Sequence, residues 1–406
     1  MIGNVLEWYD FGLYGFYAPV IARLFFPAHD PLAALIGAYG GFAVGFAVRP
    51  IGGVVFGHLG DRIGRNFVLV TSVAMMGVAT TAITLLPTYS QIGAAAPLLL
   101  LVVRVFQGFS VGGEFTGSVA YLVETAPPGR RGFTGSFANI GSTVGILLAA
   151  GVAATTVSLA GAEELSGWAW RAPFLLGGVL AAAAFLLRRR LPDTGYAPGR
   201  KGGEPPLKRA FAREPGTMAR AIAFTAGYGV VNYLTMVFLP TYAALAGGLS
   251  QGAALRIATA SQAVALVVVP LAGWAGDTAV RRRTMLMLVF AAEFAAALAC
   301  FNLTRDGGLA GYAVAQILFG VLFALVMGTE PAMMIELFPR DFRLSGYSFA
   351  FNLGIGVAGG TAPLIATWLI SATGNTLAPA WYLMLGGGLA CLAAFLMTDR
   401  SRAALR

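Results

Sequence analysis

The sequence predicts an all-α membrane protein: twelve transmembrane helices in two six-helix bundles related by pseudo-symmetry. Three observations carry that reading. Apolar stretches of about 20 residues, the length that crosses a bilayer as a helix, recur from one end of the 406-residue chain to the other. Arginine and lysine gather in alternate loops. Short polar motifs of the first half return in the second at nearly constant spacing.

Hydrophobic residues make up 57% of the chain and charged residues 11%, with a mean hydropathy of +0.75. That leaves too little polar surface to cover a soluble globule. The 54 glycines would weaken helices in water, but in lipid they let helix backbones approach closely. The period-two alternation of a membrane barrel is absent. Cys300 and Cys391 lie singly inside apolar runs, which points to neither a disulfide framework nor a metal site. The first apolar run continues to spanning length without a small-residue cleavage site, so no signal peptide is expected. Lysine occurs only at Lys201 and Lys208, an arginine bias typical of GC-rich bacterial genomes.

The spans are placed at 4–26, 33–57, 66–87, 97–123, 133–158, 170–190, 218–246, 253–275, 284–303, 310–337, 342–371 and 379–398. Residues 1–190 form the first bundle and 218–406 the second. Between them, 191–217 is rich in Pro, Gly, Arg and Lys and reads as a connecting loop. One set of alternate loops holds Arg62, Arg65, Arg130, Arg131, Arg188 to Arg190, Arg281 to Arg283, Arg340 and Arg343, whereas the other set and its helix ends hold Arg23, Arg171, Arg256 and Arg305. The positive-inside rule then places both termini in the cytoplasm. A net charge of +9 dealt out loop by loop is not a nucleic-acid face.

The halves repeat. Gly57-x-x-x-Asp61-x-x-x-Arg65 follows the second span and Gly273-x-x-x-Asp277-x-x-x-Arg281 the eighth. Glu124 ends the fourth span and Glu336 the tenth. Ser136-Phe-Ala-Asn139 in the fifth echoes Ser348-Phe-Ala-Phe-Asn352 in the eleventh. The offsets are 216 (Asp61 to Asp277), 212 (Glu124 to Glu336) and 213 (Asn139 to Asn352) residues, as expected of parallel six-span copies.

Gly57-His-Leu-Gly-Asp61-Arg62-Ile-Gly64-Arg65 resembles the loop signature of the major facilitator superfamily. Gly3-Asn4-Val-Leu-Glu7-Trp8-Tyr9-Asp10-Phe11, Arg49-Pro50-Ile-Gly52-Gly53, Arg104-Val-Phe-Gln107-Gly108-Phe-Ser-Val-Gly112-Gly113-Glu114 and Gly359-Gly360-Thr361-Ala362-Pro363 resemble motifs of its metabolite–proton symporter family. The matches run from the first span to the eleventh. The resemblance implies a major facilitator fold, proton coupling, and a substrate such as α-ketoglutarate, citrate, shikimate, proline or a betaine. The chain begins almost at its first span, where relatives carry a short leader. It stops soon after its last, without the long heptad extension of some osmosensing betaine carriers, which weighs toward an organic acid as substrate.

An ionisable group in the membrane core costs about 2.5–3.5 kcal/mol or more, so it faces a partner or a water-filled cavity. Glu7 and Asp10, three residues apart, project to nearly one side of the first helix and can share a proton. Asp10 is the first proton-site candidate; the alternative is a permanent ion pair with Arg49 or Arg104. Glu7 reads as structural. Arg49 and Arg104 suit a carboxylate through the two-pronged guanidinium fork, or else form structural salt bridges. Arg104 opens the Arg-x-x-Gln-Gly signature that the resemblance associates with proton coupling. Glu114, among glycines, is the second proton-site candidate. Tyr14, Asn139, Asn232 and Asn352 are candidate substrate contacts. Glu330 before Pro331 marks a possible hinge, because the proline frees a backbone carbonyl. Glu293 reads as a buried structural contact.

Asp61, Arg65 and Glu124, with Asp277, Arg281 and Glu336, read as two cytoplasmic latches that hold the outward-facing state. Asp61 would accept hydrogen bonds from the N-terminus of the eleventh helix, and Arg65 would bridge it to Glu124. The resemblance implies alternating access by rocking of the halves. No Gly-x-x-x-x-Gly-Lys-Ser/Thr loop occurs, so a proton gradient rather than ATP is the expected energy source, with no cofactor. The expectation is therefore a proton-driven importer of a small carboxylate-bearing metabolite, not an enzyme, acting as a monomer in a bacterial inner membrane with no nucleic-acid partner. A proline or glycine-betaine importer and an exporter of toxic acids or drugs are the alternatives. The orientation is tested by Arg65→Cys and Arg281→Cys. Both cysteines are expected to react with a membrane-impermeant thiol reagent from the inner face; reaction from opposite faces would overturn the topology.

Overall fold

In this computed structural model the backbone is described for residues 2–26, 30–63, 65–111, 114–161, 164–165, 167–188, 205–403 and 405, and the side chains of these residues except 2–3, 57–69, 114 and 188. Among the described residues all regular structure is helical. Ten helices are long and apolar enough to span a membrane, and two further segments complete the expected twelve.

In chain order these are α1 (Ile2–Phe16 and Ala18–Phe25), α2 (Pro31–Ala47 and Arg49–Ile63), α3 (Arg65–Leu85), α4 (Ala95–Ser110 and Glu114–Glu124), α5 (Arg131–Leu159) and α6 (Ala172–Arg188), followed by α7 (Pro215–Leu245), α8 (Gln251–Thr278), α9 (Arg282–Asp306), α10 (Gly308–Leu337), α11 (Arg343–Thr373) and α12 (Ala378–Leu396). Their limits follow local chemistry. The Asp30 carboxylate accepts from Leu32 N at 2.9 Å ahead of Pro31, a capped start. Ser250 caps α8 in the same manner. Gly374, at φ +64°, ends α11 in the left-handed turn that glycine allows. Part of the expected connecting loop is also helical, at Pro206–Arg213.

The halves meet along two seams, α5 against α8 and α2 against α11. Helices α1 and α7 are buried along most of their length and touch each other across the halves. Close packing depends on glycine at two points. A methyl group on Gly108 of α4 would sit 1.8 Å from the Gly45 carbonyl oxygen of α2. Across the seam between halves, one on Gly273 of α8 would sit 2.6 Å from the Gly132 carbonyl oxygen of α5. Gly273 is the first residue of the second loop motif, and its missing side chain is what lets that motif reach the other half.

Prolines set the irregularities. Two π-helical turns occur, Tyr233–Phe238 in α7 and Gly354–Gly359 in α11. Each contains the residue four before a proline, Pro240 or Pro363, where the ring would collide with the preceding turn. The widened turn in α7 leaves the Thr235 carbonyl without an N–H at position 240, and Gln316 of α10 donates to it instead at 3.1 Å. The expected hinge at Pro331 is not a break: α10 runs unbroken through it. Pro331 does free the Met327 carbonyl, and Asn139 of α5 donates to that oxygen at 2.7 Å. Asn139, expected as a substrate contact, thus repairs a backbone defect in the other half.

Gly108→Ala is expected to destabilise the protein by about 1–3 kcal/mol through overpacking. Gly40→Ala, where a methyl would meet no atom within 4 Å, is expected to leave thermal stability unchanged. Equal melting temperatures for the two variants would refute the close α2–α4 approach.

Candidate functional site

Two polar groups stand out against the apolar interior: an ionic network inside the first bundle, and a set of ion pairs across the ends of the halves at the arginine-rich face.

The inner network centres on Asp10 of α1, which is 2% exposed. Its Oδ1 accepts from the Thr80 hydroxyl of α3 at 2.8 Å, and its Oδ2 from Gln107 Nε2 of α4 at 2.6 Å. Arg104 Nη1 donates to Gln107 Oε1 at 2.8 Å and lies 3.9 Å from Asp10 Oδ2. The Gln107 amide therefore spaces carboxylate from guanidinium while bonding both. The Arg104 guanidinium lies 4.2 Å from the ring centroid of Tyr14 and 4.8 Å from that of Phe11, close enough for cation–π attraction. Its Nε and Nη2 have no hydrogen-bond partner among the described residues.

Glu7 and Asp10 do not share a site, contrary to the expectation from their spacing. Glu7 pairs with Arg49 of α2, while Asp10 turns to Thr80, Gln107 and Arg104. Position 7 lies nearer the helix start, where Arg49 opens the second piece of α2 after the irregularity at Val48. Arg49 lies against Phe46 at 4.9 Å, Phe11 at 5.0 Å and Trp8 at 6.0 Å. The Phe11 ring thus lies close to both guanidinium groups.

Other candidates disperse. Tyr14 donates to the Ala38 carbonyl at 3.1 Å while its ring carries Arg104. Asn232 is buried in α7 directly before the π turn. Asn352 donates to the Ser348 carbonyl at 2.9 Å, and Ser348 meets Thr116 of the other half at 3.1 Å. The Tyr233 ring of α7 packs against Phe42 and Phe46 of α2, at 5.5 and 5.1 Å, closing the middle of the seam. The side chains of Glu114, Asp61 and Arg65 lie outside the described residues. Glu293 is fully buried in α9. Thr80 was not legible in the sequence, since a threonine in an apolar helix usually bonds its own preceding turn.

At the arginine-rich end, Asp277 accepts from Gly132 N and Phe133 N, both at 2.8 Å. These are unpaired N–H groups at the start of α5, where the helix dipole favours an anion. The fifth helix here plays the part expected of the eleventh in the other copy. Arg282, not Arg281, completes the cluster: it pairs with Asp277 and, at 2.7 Å, with Glu336. Arg281 is an exposed, extended residue ahead of α9, whereas Arg282 begins the helix and is 1% exposed. Glu336 also binds Arg131 of the other half at 2.8 Å. Glu124 meets Arg343 at 2.6 Å, a cation not expected there. At the opposite end, Tyr39 bonds Thr241 at 3.1 Å and Arg256 bonds Ser158 at 2.9 Å across the halves. Both ends of the molecule are therefore bridged.

The sequence model of the Major Facilitator Superfamily matches residues 1–292. The chain belongs to the major facilitator superfamily. It is 32% identical to the proline/betaine transporter of Salmonella typhimurium over 94% of this chain and 79% of that one. It is also 32% identical to the glycine betaine/proline/ectoine/pipecolic acid transporter OusA of Dickeya dadantii, over 100% and 83%. Among solved structures, a D-xylose–proton symporter superposes with a TM-score of 0.76 at 18% identity, covering 100% of this chain and 98% of the other. The xylose transporter XylE from E. coli in an inward-open conformation gives 0.76 at 17%, over 98% and 94%. The chain is thus a multi-pass membrane transporter with the two-bundle major facilitator fold.

Arg282→Gln, which leaves Asp277 and Glu336 short of a buried partner, is expected to cost about 3–5 kcal/mol. Arg281→Gln is expected to be neutral. A thermal-stability comparison in which Arg281→Gln proves the more damaging would reverse the assignment.

Proposed function

We propose that this transporter imports a small zwitterion of the betaine or proline type together with a proton, by alternating access between the two bundles, in a bacterial inner membrane with both termini in the cytoplasm. The observation that carries the mechanism is the Asp10–Gln107–Arg104 triad. Asp10 is held 3.9 Å from Arg104 with an amide between them. An acid so placed responds to a proton by releasing its cation. Protonated Asp10 no longer needs Arg104, and the guanidinium becomes available to a substrate carboxylate in its two-pronged geometry. The proton then neutralises Asp10 and the substrate carboxylate neutralises Arg104, so neither member of the pair is left as an uncompensated charge when the site closes, which lowers the desolvation cost of closing it.

The relatives support a zwitterion over a di- or tricarboxylate, since those named above handle proline, betaines and ectoine. A zwitterion carries the same carboxylate that the two arginines suggested in the sequence, so the organic-acid reading narrows rather than fails. The ion pairs at the arginine-rich end suit the role of a latch. Asp277, Glu336, Arg131 and Arg343 span both halves, and rocking toward the cytoplasm must part them. The chain acts as a monomer in this scheme, because the site needs only its own two halves.

Purified protein in liposomes is expected to accumulate labelled glycine betaine or proline when the outside is made acidic, and a proton ionophore is expected to abolish that accumulation. Asp10→Asn is expected to remove gradient-driven accumulation while exchange of internal for external substrate persists. Uptake that ignores the ionophore would refute proton coupling, and a fully active Asp10→Asn would move the proton elsewhere.

A further inference from the structure

Glu330 of α10 is unaccounted for by the proton and carboxylate chemistry of the first bundle. It is fully buried. Its Oε1 accepts from the Tyr347 hydroxyl of α11 at 3.2 Å, and its Oε2 has no hydrogen-bond partner among the described residues. Arg49 and Arg104 stand in the other half on partners of their own, and Arg343, one turn before Tyr347 on α11, pairs with Glu124. A carboxylate that keeps one oxygen free in a bilayer-spanning bundle is costly; Glu293 of α9 has neither oxygen hydrogen-bonded among the described residues, so what sets Glu330 apart is the hydroxyl and the aromatic rings on its side of α10.

Its direction follows from helix geometry. Met327 and Pro331 of α10 face α5, through Asn139 and Gly135, and Gly328 faces α8. At about 100° per residue, Glu330 is turned to the remaining side, toward α7 and α11. There Tyr347 bonds it, and Tyr228 of α7 stacks on Phe323, which lies two turns before Glu330 on the same face of α10. The Tyr228 ring is fixed by stacking on Phe323 at 5.5 Å, and that of Tyr347 by Phe351 at 5.6 Å. Two braced aromatic rings beside a carboxylate with a free oxygen are the components that bind an alkylated ammonium group, which has charge but few or no N–H donors.

We infer that Glu330, on the face of α10 that carries Tyr347 and Tyr228, receives the cationic end of the substrate and selects zwitterions against plain organic acids. This rests on the zwitterion reading above. Tyr233 links the two ends of such a site. Its ring packs on Phe46 at 5.1 Å, and Phe46 in turn lies 4.9 Å from the Arg49 guanidinium. The carboxylate meets the first bundle and the ammonium the second, so only the whole zwitterion draws the halves together. A substrate with a second carboxylate in place of the ammonium meets Glu330 as a like charge.

The test compares glycine betaine with 3,3-dimethylbutyrate, which has the same shape with an uncharged carbon in place of the nitrogen, as inhibitors of labelled betaine uptake in liposomes. The wild-type protein is expected to prefer betaine by about 30-fold, equivalent to about 2 kcal/mol. Glu330→Gln is expected to bring that preference down to about threefold by weakening betaine alone, and Glu330→Asp to retain most of it. Equal weakening of both ligands would show that Glu330 only ties α10 to α11, and an unchanged preference would show that it does not meet the substrate. Either result overturns the assignment while the zwitterion reading stands. Wild-type protein that takes up neither betaine nor proline would remove both. Should Glu330→Gln fail to fold, Glu330→Leu takes its place: a fall of the preference to about threefold through weaker betaine binding alone is expected, and an unchanged preference or equal weakening of both ligands overturns the proposal.

Discussion

A charge or a backbone group that leaves its partner inside hydrocarbon has no water to turn to. Most of this molecule's internal order follows from that constraint. Arg104 and Asp10 are joined through Gln107, Arg49 is matched by Glu7, and aromatic faces lie against both guanidinium groups. The same rule governs the main chain. Prolines strip N–H groups from α7 and α10, and side-chain amides from neighbouring helices repair both losses. The polar residues of the spans are therefore largely committed to internal repairs. Those with spare capacity, such as Arg104 and Glu330, stand apart for that reason.

The arginine-rich end obeys a milder form of the rule, because it lies at the margin of the membrane. Asp277 replaces water for two N–H groups at the start of α5, and Glu336 is shared between a cation of its own half and one of the other. These contacts are strong when closed and can be rehydrated when open, as a joint that must part repeatedly requires. The glycine pair beneath them lets the backbones touch without side chains that would have to be cleared at each parting.

The fold was legible in the sequence because span length, loop charge and the internal repeat are each imposed by the bilayer or by duplication, and neither depends on detail. The site was legible only in part. Asp10, Arg49 and Arg104 were visible because a charge in an apolar run is conspicuous. Their pairing was not, since a helical spacing of three fixes a side but not which neighbour stands there. Arg282 rather than Arg281 joins the cluster because the first helical residue of α9 decides which of two adjacent arginines turns inward, and a one-residue shift swings a side chain by about 100°. Asn139 looked like a substrate ligand because its demand comes from a proline in another helix, 192 positions away in sequence. Thr80 carried no signal.

Phe11 lies under both Arg104 and Arg49, and this has a mechanical consequence. The ring is a single rigid plate fixed to α1, with both cations within 5.0 Å of its centre. Any twist of α1 that frees one of them also changes the seating of the other. The two ion pairs of the first bundle are in this sense geared, and a change begun at Asp10 is felt at Glu7 without a proton or a substrate ever travelling between them.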